Sequence, residues 1–345
     1  MVVCSFLLRW KGQRFMSNDE KIYFSEEKAQ QGTDCYTFEI RCMRDVDAFE
    51  TVELINKHGR SYGCIKTERG MLLLHLVLPH YVRENNIQPY GLWDDCKGVS
   101  KEICEQLKSV LGNTFISHVR SVECNITQRV SSNAVTSDVL NLLNHALLSS
   151  AKDNLEYSGS NKKFALKKEI HTVIFRKAHY YTLKAYDKTE EYRKKCMERG
   201  GSNVDIADNV LRIEIILLGR TIDRLFGFNT SVYDILSEES LIEIMREYKR
   251  IYIKEIIEVY VKPYLTQCKQ KLVQSLLRTN NIIATVAIER EIIPDKEVLR
   301  RAIKEWQEIK GVSPHAARDM KRYEKRMNLP YGVIHTLKEF RIACG

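Results

Sequence analysis

Tyr186, Lys188 and Glu191 stand close together in Tyr181-Thr-Leu-Lys-Ala-Tyr186-Asp-Lys188-Thr-Glu190-Glu191, which places a phenol beside an ammonium and a carboxylate. Read with a period of two, Thr182, Lys184 and Tyr186 share one face of a strand, and Tyr181, Leu183 and Ala185 share the other. Further on, Leu211-Arg-Ile-Glu214-Ile-Ile-Leu-Leu also alternates, with Arg212 and Glu214 opposite Leu211, Ile213, Ile215 and Leu217. A third run, His118 to Thr127, puts Ser121, Glu123, Asn125 and Thr127 on its polar face. These are the parts of a phosphodiester-transfer site: a tyrosine as nucleophile, basic side chains for the phosphate, and hard oxygen ligands for a polarising cation.

The chemistry needs those types. A phenol with a pKa near 10 is protonated at neutral pH, so a neighbouring lysine or metal must favour the phenolate, or the phosphate must be strongly polarised. Exchanging a phosphodiester for a tyrosyl phosphodiester is close to isoenergetic, so the strand is resealed by reversal. The reading therefore assigns Tyr186 as nucleophile with Lys188 beside it, Lys184 and Arg212 as phosphate contacts, and Glu123, Glu191 and Glu214 as ligands for Mg²⁺ or Mn²⁺. Glu191 is preferred over Glu190 on its spacing from Tyr186. With 17 tyrosines in the chain, a lone one is ordinarily a strand former, and it is the company of Tyr186 that singles it out. Among its rivals, Tyr180 and Tyr181 read as structural and Tyr192 lies in a charged run. No His-x-His pair occurs, so a histidine-pair metal site is absent from the sequence.

The elements that must position these groups alternate between strand and helix patterns. Strands are expected over Tyr36–Arg41, Tyr62–Lys66 and Met71–Leu78, the last so apolar that it should lie in the middle of a covered sheet. Pro79 ends it, a loop runs from Asn85 to Gly91, His75 is expected in the core and His80 in a loop. A helix capped by Ser100 should end at Gly112, and a second covers Thr136–Leu148. Together these predict an α+β fold, a two-layer sandwich with a central antiparallel sheet, helices on one face and an open polar face. Beyond Ser237 the pattern is helical, over 241–261, 264–277, 296–309 and 314–327. The expected organisation is an N-terminal extension (1–33, with Met16 as an alternative start), a catalytic tyrosine domain (34–230) and a helical C-terminal domain (231–345).

A net charge of +9 favours an anionic partner. The surplus crowds around the tyrosine strand, from Lys162, Lys163, Lys167 and Lys168 through Arg176 and Lys177 to Arg193, Lys194 and Lys195. Ten cysteines occur without a CxxC pair or a signal-peptide pattern ahead of them, which fits buried thiols in a reducing cytosol rather than disulfides or structural zinc. No apolar run reaches the length of a membrane span, so no membrane association is expected.

Thr182-Leu-Lys-Ala-Tyr186-Asp-Lys188-Thr-Glu-Glu191 resembles the nucleophile motif of the phage and plasmid rolling-circle replication initiators of the phage II/X family, a Tyr-x-Lys-x-x-Glu pattern. Val210-Leu-Arg212-Ile-Glu214-Ile with Leu225-Phe-Gly227 is similar to that family's Arg-Phe-Glu strand and Phe-Gly. Val119-Arg-Ser-Val-Glu123 resembles its Arg-Ile-Asp strand, with Glu in place of Asp. Leu78-Pro79 and Asn85-Asn86 with Gly91 resemble its Pro-Lys and Gly-Asn-Asn stretch, with His80 for the lysine and Glu84 for the glycine. The resemblance covers about residues 34 to 230. It implies a replication-initiator or nickase-like fold and a metal-dependent tyrosine endonuclease that nicks one strand at a replicon origin and rejoins it through a 5′-phosphotyrosine. The implied partners are origin DNA, single-stranded and supercoiled duplex, with host helicase and polymerase, in the cytoplasm of a bacterial host. Alternatives are a mobilisation relaxase or transposase of the same chemistry, or an origin-binding regulator that does not cleave.

Overall fold

The computed structural model describes residues 30–42, 51–83, 89–92, 94–150, 172–198, 209–228, 230–311 and 329–343. The N-terminal extension up to residue 29, the lysines from Lys162 to Lys168, most of the loop expected after Asn85 and the helix expected over 314–327 lie outside the described residues.

Among the described residues, eight strands form a single antiparallel sheet: β1 (Gln30–Cys42), β2 (Val52–Ile55), β3 (Ser61–Glu68), β4 (Met71–Val77), β5 (Phe115–Arg129), β6 (Thr172–Lys177), β7 (Tyr181–Asp187) and β8 (Val210–Leu218). Their order is β2-β3-β4-β1-β5-β8-β7-β6. Alternation decides the faces. Tyr36, Phe38 and Ile40 of β1, Val122, Cys124 and Ile126 of β5, and Ile213, Ile215 and Leu217 of β8 are buried against helices on one side. The helices are Asn133–Ser150, Glu238–Arg250 and the segments that follow, and Tyr248 donates a hydrogen bond to the Ile213 carbonyl at 2.9 Å, pinning the helical layer to β8. The fold is therefore α+β with a helical C-terminal region.

The sheet's core runs past residue 230. Leu241, Ile244, Tyr248 and Ile256 belong to it, and Val333, Leu337 and Phe340 return to it from the helix Val333–Ala343. A separate cluster, including Leu272, Leu276, Leu299, Ile303 and Trp306, joins the helices Lys262–Thr279 and Lys296–Lys310.

Several local expectations change. β4 is third from the β2 edge, and only Leu72, Leu74 and Leu76 are fully buried; Leu73, His75 and Val77 stand half-buried on the open face. Continuous hydrophobicity there reflects one covered face and one that stays partly open, so His75 pairs with Thr37 across the open face at 3.1 Å instead of lying in the core. His80 is in a short helix, Leu78–Val82, that Pro79 starts. The next helix begins at Cys96, not after Ser100, because the Asp95 carboxylate accepts from the Gly98 amide at 2.9 Å.

The helical run over 241–261 splits into the α-helix Glu238–Arg250 and a π-helix, Ile251–Val261. Ile251, Ile256 and Val261 are among its buried positions. Their five-residue spacing matches the wider turn, which keeps all three on the core.

Candidate functional site

The constellation lies on the open face and is built by register. Asn125 of β5 pairs with Glu214 of β8, and Thr127 with Arg212. On the other side of β8, Lys184 of β7 pairs with Glu214, and Tyr186 with Arg212. Side chains opposite one another on neighbouring strands of one face lie within reach, and long side chains also meet along the diagonal. Tyr186 takes the diagonal: its hydroxyl donates to Glu214 Oε1 at 2.5 Å.

The strand ends immediately after the tyrosine. Asp187 accepts a hydrogen bond from the Glu190 amide at 3.0 Å and so caps the helix Lys188–Glu198, whose first turn carries Glu190 and Glu191. This turn folds Lys188 back over the site, with its Nζ 5.7 Å from the centre of the Tyr186 ring. Lys188 then donates to Glu191 Oε2 at 2.8 Å, and Lys195 holds the other oxygen of that carboxylate.

Beneath Glu214 lies a buried ion pair that the alternation does not reveal. Arg212, with no exposed surface, donates from Nε to Thr127 Oγ1 at 2.8 Å and from Nη1 to Asp34. Asp34 is where β1 shifts register against β5, between Thr33 and Cys35. That extra residue lets Asp34 turn to the polar face although its neighbour Cys35 is already opposite Glu123. Thr127 in turn donates to Asn125 Oδ1 at 3.0 Å. Asn125 and Thr127 were visible as polar-face residues; Asp34 had no periodic signal to find it by.

All the residues predicted for the site meet on this face, but their surroundings redistribute their roles. Lys184, 32% exposed at its side chain, reaches out between Glu123 Oε1 at 3.1 Å and Glu214 Oε2 at 3.8 Å. Arg212 and Lys188, by contrast, are 0% and 1% exposed, so neither offers its charge freely to an incoming phosphate. Arg212 is a positioning residue: its Nη1 is 3.7 Å from Glu214 Oε1, the oxygen that accepts the tyrosine proton. Tyr181 is buried on the core face, and Tyr180 sits at the hairpin tip with Arg220 and Lys177 against its ring.

Burial, followed by the Glu214 charge, holds the Tyr186 phenol well above its ordinary range, so it is protonated at rest. Any chemistry at this hydroxyl would need a base to take its proton, and the carboxylate of Glu214 is in contact with it. Burial and the Arg212 charge lower Lys188 to about 8. For Lys184, burial works downward but is outweighed by Glu123 and Glu214, which raise it. Glu123 is raised by burial and then by Glu214. Asp34 is raised too, since burial exceeds the effect of Arg212. In Glu191 the upward effect of burial is overcome by Lys188 and Lys195, and its carboxylate lies low.

The expected divalent-cation set does not assemble. Among the described residues no group of three His, Cys, Asp or Glu side chains is arranged to hold a metal ion. Glu123 and Glu214 converge on Lys184, while Glu191 is committed to Lys188 and Lys195. Each carboxylate proposed as a ligand already has an ammonium partner.

No protein-family profile and no curated protein matches this chain. A solved rolling circle replication initiator protein from Geobacillus stearothermophilus aligns over 67% of this chain and 85% of its own, at 11% identity and a TM-score of 0.31. At that score the likeness carries no argument about this chain. Among the described residues no helix is long and apolar enough to cross a membrane.

Proposed function

We propose that this protein is a rolling-circle replication initiator of the phage II/X type, a tyrosine DNA nickase and strand transferase. The observation that carries the reading is the 2.5 Å hydrogen bond from Tyr186 to Glu214, on a strand whose residues resemble that family's nucleophile motif. Tyr186 Oη attacks the scissile phosphorus while its proton passes to Glu214. The P–O3′ bond breaks, the leaving 3′ oxygen takes up a proton from solvent to become a 3′ hydroxyl, and the 5′ phosphate stays on the tyrosine. Reversal by a 3′ hydroxyl, whose proton goes to solvent, returns the proton from Glu214 to Tyr186 and closes the strand. Lys184 is the cation best placed to meet the phosphate, because of the three basic residues assigned to the site it alone is substantially exposed.

The partner in this reading is origin DNA, met as single strand or supercoiled duplex, with a host helicase and polymerase acting downstream. Incubating the full chain with supercoiled replicon DNA tests it. The expected product is an open circle with protein covalently attached to the 5′ phosphate at the nick. Binding without a nick across divalent-ion conditions would instead support a regulator that does not cleave.

A further inference from the structure

We propose that the Lys184 ammonium is a built-in cation, seated between Glu123 and Glu214 in the place a divalent ion would take. Three adjacent strands fix the arrangement. Lys184 on β7 is in register with Glu214 on β8, and Glu123 reaches over from β5. Its Nζ is 3.1 Å from one carboxylate and 3.8 Å from the other. Magnesium would need oxygen ligands at about 2.1 Å in an octahedron, which the same two carboxylates cannot supply while an ammonium stands between them.

Charge balance points the same way. Asp34, Glu123, Glu191 and Glu214 are equalled in number by Arg212, Lys184, Lys188 and Lys195, with Glu191 holding two lysines and Glu214 sharing Lys184 with Glu123 and Arg212 with Asp34. A divalent ion added to that set leaves an uncompensated double positive charge in a largely buried site, unless Lys184 swings away. With Lys184 in place, the attacked phosphate meets a side-chain cation already held by the carboxylate that takes the tyrosine proton. The catalytic half of this inference rests on the proposed nicking function; the cation-site half does not.

The test is Mn²⁺ binding by the full chain without DNA, followed by electron paramagnetic resonance of free Mn²⁺. Wild type should bind no Mn²⁺ that depends on Glu123 or Glu214. Lys184→Met should create one site, at least tenfold tighter than any in wild type, and adding Glu123→Gln should remove it. Lys184→Arg, which keeps the charge, should stay like wild type. The inference is overturned if wild type binds Mn²⁺ with an affinity that Glu123→Gln or Glu214→Gln weakens, an arm that needs no Lys184 variant to fold. It is equally overturned if a folded Lys184→Met gains no site. Failure of wild type to nick DNA would count against the proposed function and leave these binding results unchanged.

Discussion

Tyr186 donates a hydrogen bond to Glu214 across 2.5 Å from a neighbouring strand, on the diagonal of the register that sets Tyr186 opposite Arg212. The phenol is buried to 9% exposure and held protonated, so the carboxylate that touches it is the group able to take its proton as a bond to phosphorus forms. Glu214→Gln keeps the shape and a hydrogen bond but removes the base. Nicking should slow by roughly 10²–10⁴-fold, the usual span for a general base, with the circular dichroism spectrum unchanged. A Glu214→Gln enzyme with wild-type single-turnover rates would remove Glu214 from the reaction.

The Asp34–Arg212 pair is a stability element under the site. Asp34→Ala takes the nearest carboxylate from a guanidinium with no exposed surface, leaving it Thr127 and the more distant Glu214, which should cost up to about 3 kcal/mol in urea unfolding. Replacing both partners, Asp34→Leu with Arg212→Met, should recover most of that loss. If Asp34→Ala unfolds at the wild-type midpoint, the pair is not the anchor described.

Lys188 should leave a pH signature. Its folded pKa, about 8, is below the ordinary lysine value of 10.5, so between these values the unfolded chain binds more protons than the folded one. Stability of wild type relative to Lys188→Met should therefore rise with pH through that window, by on the order of 3 kcal/mol. Below pH 8 the penalty for burying the charged form is fully present and the difference should be flat. A difference that falls or stays constant from pH 8 to 10.5 would show that Lys188 is not held low.

Much of this was legible. Period-two alternation placed Lys184, Tyr186, Arg212, Glu214 and Glu123 on polar strand faces, because strands with a buried side must alternate. The pairings were not legible, since register and diagonal contacts depend on strand order: Glu214 becomes the partner of Tyr186 only because β8 lies between β5 and β7. Asp34 was invisible because a bulge breaks the period that would reveal it. The edge strands β2 and β6 escaped for another reason: they are short, and β6 lies in a stretch whose lysines dominate the pattern.

The basic segment Ala316–Arg326, read from sequence as a helix, is a separate candidate for duplex binding. Truncating after residue 290 would not isolate it, because Leu299, Ile303 and Trp306 form a core with Leu272 and Leu276, and Phe340 packs into the sheet's core. Changing Lys321, Arg322, Lys325 and Arg326 to Gln is the cleaner experiment. If they neutralise phosphates, the slope of log affinity for duplex origin against log salt should become shallower by roughly 0.9 for each phosphate that is no longer neutralised. An unchanged slope and affinity would return the segment to a structural or protein-binding role.

The central claim is that Tyr186 itself becomes joined to DNA. Wild type should be incubated with an origin oligonucleotide labelled internally just 3′ to the nick, digested with protease, and the labelled peptide identified by mass spectrometry. The account predicts the label on the peptide containing Tyr186, and its complete loss in a folded Tyr186→Phe variant that still binds the oligonucleotide. Label on Tyr181 or Tyr192, or an adduct that survives Tyr186→Phe, would contradict it.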